Sequence, residues 1–263
     1  MFGFKRRRRQ RLRDRPLPSA WGAIIDRTVH YCRFLTVEEQ RELDGHIQVF
    51  LHEKPFEGCG GLEITDEIRV TIAAHACILL LNRDTDYYPA LRTILVYPHH
   101  YRVESTRPQP DGTVIEGLEV RSGESWHRGA VVLSWDDVRR DAANIHDGHN
   151  VVFHECAHQL DSESGANEGT PALTDQGMYA TWTRVMNSEY QRLLDDLEEH
   201  RPTLIRAYAA TSPAEFFAVI TELFFERPAA LKQHHTDLYT QLAGYYRQDP
   251  VTRFESPPPL AVT

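Results

Sequence analysis

The chain has 263 residues, a formal net charge of −9 and a sequence pI near 5.9, with 41% hydrophobic and 25% charged residues. Such values suit a globular protein with a sizeable buried core and exclude collagen-like, wholly disordered and disulfide-rich miniature chains. The longest apolar run, Ala76 to Leu81, is far short of the roughly 20 residues that a membrane span requires.

The charge is unevenly spread. Residues 1–15 carry eight bases and one acid, so the remainder holds 21 bases against 37 acids, a net charge of −16. A solvated, disordered basic arm is expected over residues 1–17, ahead of one folded domain over 18–250 and a flexible tail over 251–263. No apolar segment follows the arginines, so the arm reads neither as a secretion signal nor as a twin-arginine signal. The four cysteines, Cys32, Cys59, Cys77 and Cys156, form no C-x-x-C pair. Reduced thiols and a cytoplasmic location are the expectation.

In chain order, Pro18 to Tyr31 is a short apolar entry. Thr36 with Glu39 three residues on is a capping box, and it opens a helix to about Glu53 that buries Leu43, Ile47, Phe50 and Leu51. Thr65 or Asp66 caps a second helix to about Asn82. The period then changes. Thr93–Tyr97, Tyr101–Val103, Gly117–Val120 and Gly129–Trp135 read as strands, with a turn at Pro110-Asp111-Gly112. A short helix starts at Asp136. Helices follow from about Gly148 to Leu160, Asp175 to His200, Ser212 to Phe225 and Pro228 to Tyr246. This order predicts an α+β fold, a small mixed sheet beside a mainly helical body.

His154-Glu155-Cys156-Ala157-His158 is an H-E-x-x-H segment with apolar Val151, Val152 and Phe153 before it. On a helix, i and i+4 imidazoles lie one turn apart on one face and can hold one Zn²⁺ at about 2.0–2.1 Å each. Glu155 lies roughly 100° around the helix from His154 and is placed to take a proton from water there. Shuffling the 14 His and 21 Glu of the chain gives roughly 0.06 chance matches, so the motif alone does not decide the matter.

A catalytic zinc site needs a third protein ligand. The longer metzincin pattern is excluded, because Ser164 stands where it requires histidine. Asp161 shares the histidine face but suits a histidine N–H acceptor or a helix-end group better than a ligand. Asp175 is a weaker candidate. Glu215 is the best one. Ser212-Pro213-Ala214-Glu215 is a helix start, and Phe216, Phe217, Val219, Ile220, Leu223, Phe224 and Phe225 make that helix apolar on most sides. A glutamate in a buried helix needs a partner, and a metal is one. Glu222 is a candidate for support around the site. His99, His100, His146, His149, His234 and His235 read as surface residues, although His146 and His149 precede the metal-binding segment closely.

The segments His154–Asp161 and Tyr208-Ala209-Ala210-Thr211-Ser212-Pro213-Ala214-Glu215-Phe216-Phe217-Ala218-Val219 together resemble the Mlc titration factor A family, across roughly residues 20–250. That resemblance implies gluzincin-type zinc peptidases with a zincin-like catalytic domain similar to that of anthrax lethal factor. It implies His154, His158 and Glu215 as zinc ligands, Glu155 as general base, and Tyr208 as a hydroxyl that stabilises the oxyanion. It also implies that the strand Ala130–Trp135 is an edge that pairs with extended peptide.

The expected function is therefore cytoplasmic, zinc-dependent peptide hydrolysis with one Zn²⁺ per chain. The resemblance suggests aminopeptidase-type activity and binding to the glucose repressor Mlc. A monomer with a peptide substrate, and with neither membrane nor nucleic acid as partner, is expected. The alternative is a regulatory protein that sequesters a transcriptional repressor around a non-catalytic zinc site.

Overall fold

The computed structural model describes residues 2–108, 114–121, 123–126, 129–165, 167–173 and 175–255. The turn at Pro110-Asp111-Gly112 and the tail prolines 257–259 lie outside them. Local chemistry opens most helices. For α3 (Val37–Glu53), Thr36 Oγ1 accepts the Glu39 N–H at 3.2 Å while the Glu39 carboxylate accepts the Thr36 N–H at 3.0 Å. This is the reciprocal cap foreseen. Thr65 caps α4 (Asp66–Ile78) through the Ile68 N–H. α2 (Ser19–Thr28) and a 3₁₀ turn at His30–Phe34 lead into α3.

The sheet is mixed. β1 (Phe56–Gly58), β2 (Thr93–Tyr97) and β6 (Ala130–Ser134) pair in parallel, and β5 (Gly123–Trp126) closes the order β1-β2-β6-β5 antiparallel to β6. β3 (Tyr101–Pro108) and β4 (Val114–Arg121) form a separate antiparallel pair. β6 is thus an inner strand, bonded on both sides, and not the edge expected. The edges are β1 and β5, and β5 runs alongside α6 (Val151–Asp161). A short apolar segment carries no signal that a later-pairing strand will cover its free side.

After α5 (Trp135–Ala143) and α6 come α7 (Gln176–Glu198), α8 (Pro213–Glu226), α9 (Pro228–His234) and α10 (Thr236–Tyr246). The single last helix expected is two, broken at His235, whose Nδ1 pairs with Glu189 Oε2 of α7 at 2.6 Å. α6 and α8 pack together at the centre. Phe153 of α6 is fully buried and meets Phe225 of α8 at 5.2 Å and Tyr31 at 6.2 Å between ring centroids. Trp182 of α7 and Tyr245 of α10 close the same core around Phe217.

Both chain ends depart from expectation. Phe2–Arg13 is a helix, α1, where a disordered arm was expected. Arg9 makes two bonds to Glu53, at 2.7 and 2.9 Å, and also pairs with Asp86. Lys5 Nζ lies 3.0 Å from Asp86, and Leu12 packs against the core. Gly45 of α3 makes the approach possible, because a Cβ there would lie 3.1 Å from Arg13 Cβ and 3.2 Å from Arg13 O. At the other end, α11 (Pro250–Glu255) occupies the start of the expected flexible tail. Its buried Arg253 pairs with Glu39 and donates to Gln248 Oε1 at 2.7 Å.

Candidate metal centre

The apolar run Val151–Phe153 anchors α6 in the core and fixes which way its other face points. Asn150, the residue before it, accepts the Phe153 N–H at 3.1 Å and starts the helix. α8 starts at the predicted place, with Ser212 Oγ accepting the Glu215 N–H at 3.2 Å and Pro213 in the first turn. Glu215, in that first turn, thereby faces the histidines of α6.

His154 Nε2 lies 3.3 Å from His158 Nε2 and 3.0 Å from Glu215 Oε2, and His158 Nε2 lies 3.4 Å from the same oxygen. Donors held tetrahedrally at 2.0–2.1 Å from one zinc ion lie about 3.4 Å apart. The spacing thus fits a single ion, and the two imidazoles and one carboxylate are a borderline N/O set that zinc accepts. All three residues are half-buried, so the cluster is reachable from one side.

The far nitrogen of His154 is equally constrained. His154 Nδ1 donates to Glu222 Oε1 at 2.8 Å. Glu222 is itself buried, accepts the Asn150 N–H at 2.7 Å through Oε2, and pairs with Arg206. This chain holds the ring in one tautomer with Nε2 toward the cluster. Burial opposes a charge on His154, but the Glu215 and Glu222 hydrogen bonds outweigh it, and with no metal bound its pKa is pushed up to about 10. Burial likewise opposes the Glu215 carboxylate, and the two histidines overcome it, holding the group far below the usual range. A site that attracts this much positive charge is chemically suited to a cation.

Glu155 is 4% exposed, one residue on from His154, and its charge also raises the proton affinity of that histidine. Tyr208 sits on the 3₁₀ turn Ala207–Thr211, which packs on α8. Its ring centroid is 6.0 Å from that of His154, and at 54% exposure it stands at the open side. The five residues expected at the site are thus grouped at one place.

Other candidates lie elsewhere. Asp161 is a helix-end group rather than a histidine partner: its Oδ2 accepts the Gly169 N–H at 2.8 Å. Asp175 caps α7 through the Gly177 N–H at 2.8 Å. His149 faces Arg206, which reaches its Nδ1 at 2.6 Å, and burial together with that guanidinium lowers its pKa. His146 rests against Phe254. Sequence reasoning missed Arg206 and Asn150. Asn150 carried a signal, a capping residue directly before an apolar run; Arg206 carried none.

Residues 4–247 match the family of glucose-regulated metallo-peptidases M90. The chain belongs to that family. The match starts inside α1 and so takes in the arginine segment, which the resemblance over roughly residues 20–250 leaves outside. An uncharacterized protein of Synechocystis is 44% identical over 246 residues, 93% of this chain and 89% of its own length. Mlc titration factor A of Klebsiella pneumoniae is 33% identical over 223 residues, 83% of each chain. That of Serratia proteamaculans is 31% identical over 224 residues, 84% of each. These are relatives across nearly the whole chain, and the family is one of metallopeptidases. No helix among the described residues is long and apolar enough to cross a membrane.

Proposed function

We propose that this protein is a zinc-dependent peptidase of gluzincin type, with a zincin-like catalytic domain over residues 18–250. The observation that carries this reading is the mutual spacing of 3.0–3.4 Å among His154 Nε2, His158 Nε2 and Glu215 Oε2. Those three side chains hold the metal. Zinc bound there supplies polarisation of the scissile carbonyl and a water that gives up its proton near neutral pH.

The chain's own groups do the rest. Glu155, buried beside His154, takes the water's proton and returns it to the leaving amine. Tyr208, at the open side, donates a hydrogen bond from its hydroxyl to the developing oxyanion and keeps its proton. Glu222 and Arg206 hold His154 in register throughout. The side of β5 that pairs with no strand among the described residues offers backbone groups to an extended peptide, the role expected of β6.

Aminopeptidase-type action on small peptides in the cytoplasm is part of this proposal and rests on the resemblance read from the sequence. The relatives' name, Mlc titration factor A, favours a second reading: sequestration of a transcriptional repressor such as Mlc, with the metal site non-catalytic. Glu155 favours the enzyme, since a binding module has no use for a base.

The test is Glu155→Gln, assayed by metal analysis and cleavage of a peptide library with and without chelator. One zinc per chain should be retained while turnover falls about 10²–10⁴-fold. Full turnover in that variant ends the mechanism. A His154→Ala variant that loses cleavage but still binds Mlc would show two separable functions.

A further inference from the structure

The docking of α1 divides its charges between two faces. Lys5 and Arg9 face the body and are engaged by Glu53 and Asp86, while Leu12 packs on the core and Arg13 sits on Gly45. At 100° per residue, Phe4, Arg7 and Arg11 fall together on the opposite side, with Arg8 at its flank, where it pairs with Glu53 at 3.3 Å. All four are exposed. Phe4 is 78% exposed, more than either other large apolar side chain that reaches solvent among the described residues, Val37 and Tyr208. Arg7 and Arg11 form no ion pair among the described residues, and nor does Arg6.

We propose that this outer face of α1 is a peripheral docking surface for an anionic lipid bilayer. The fixed helix presents a row of guanidinium groups with an aromatic ring at one end. Arginines meet lipid phosphates, and a phenylalanine gains by entering the headgroup boundary. The apolar ring favours a bilayer over nucleic acid, because a duplex backbone offers phosphate but no apolar layer. The expectation that no membrane partner exists rested on the absence of a span and on a disordered arm. A helix lying on the surface needs no span, and the arm is ordered.

This surface shares no residue with the metal centre and does not depend on the peptidase reading. Co-sedimentation of the full-length protein with vesicles decides it. Binding is expected to vesicles of phosphatidylglycerol and phosphatidylcholine, not to phosphatidylcholine alone, and to weaken strongly when salt is raised to about 0.5 M. Each arginine at the surface accounts for about a fivefold change in partition, so the double variant Arg7→Ala, Arg11→Ala should bind about 25-fold more weakly. Phe4→Ala should bind anionic vesicles several-fold more weakly without changing the salt dependence. Far-UV circular dichroism and zinc content, unchanged in both variants, separate lost docking from lost folding. No binding to anionic vesicles, or equal binding by the double variant, overturns the proposal. So does tighter binding to a DNA duplex at the same salt that Phe4→Ala leaves intact.

Discussion

The metal centre and the N-terminal helix are both held by charge, but in different surroundings. At the centre His154 is bonded on both ring nitrogens, and Glu222 behind it is buried and met by Asn150 and Arg206. On α1, the Arg9 and Glu53 side chains are 12% and 11% exposed, as enclosed as His154 at 12%, and only the Asp86 limb, 55% exposed, lies at the rim. Water competes at the Asp86 limb and hardly at the Glu222 carboxylate behind the centre, which is 3% exposed. Charges of similar geometry therefore differ greatly in what they stabilise.

That contrast can be broken at several points. The largest effect is expected from Glu215→Ala, which removes one of three donors and leaves the two imidazoles to share an incomplete site. Zinc should be absent from the purified variant by elemental analysis, and retention of stoichiometric zinc would refute the ligand set. Glu222→Gln is next. Its amide holds the His154 N–H less strongly, and zinc affinity should fall about 10–100-fold in a competition titration with a chromophoric chelator. Unchanged affinity would mean that the chain through Glu222 and Arg206 only fills space.

The pH dependence follows from His154. Its value is raised to about 10 in the metal-free state, above the ordinary value near 6.5. Its proton therefore stabilises the metal-free fold fully below about pH 6.5, and that contribution is lost as pH rises toward 10. Zinc must displace this proton, so apparent affinity should rise about tenfold per pH unit across that window, with one proton released per zinc bound. Calorimetry in buffers of different ionisation enthalpy measures this. No proton release would place His154 in its neutral form. The smallest effect belongs to the rim: Asp86→Ala, which removes the 55% exposed limb, should lower stability by no more than about 1 kcal/mol in urea denaturation. A loss of several kcal/mol would make α1 an integral part of the core and end the contrast.

How far each region could be read in advance follows the same division. The spacing of His154 and His158 is a property of one helix, so both rings were legible from the sequence. Glu215 was legible because the helix that starts at Ser212 is apolar on most sides, which leaves an acid near its start in need of a partner. The caps at Thr36, Thr65 and Ser212 involve residues three apart and were legible for the same reason. Arg206 was not, because its bond to Glu222 links a loop to a helix by a contact the local pattern does not encode. The order of α1 depends on Glu53 and Asp86, far along the chain, and that of α11 on Glu39. No periodicity within an arginine run or a short terminal segment reports such partners. The inner position of β6 depends likewise on β5 arriving beside it.

The sequence by itself therefore determined the capped central helices, the pairing of His154 with His158 and the candidacy of Glu215, since short-range spacing and apolar periodicity are local quantities. Only the tertiary structure decided the distances that make three donors fit one ion, the partner that orients His154, the strand that forms the sheet edge, and the fixing of an arginine-rich segment as a helix with one face free. Each of these depends on groups brought together by burial of the α6–α8 core, and chain-distant contact is the one thing a local pattern does not carry.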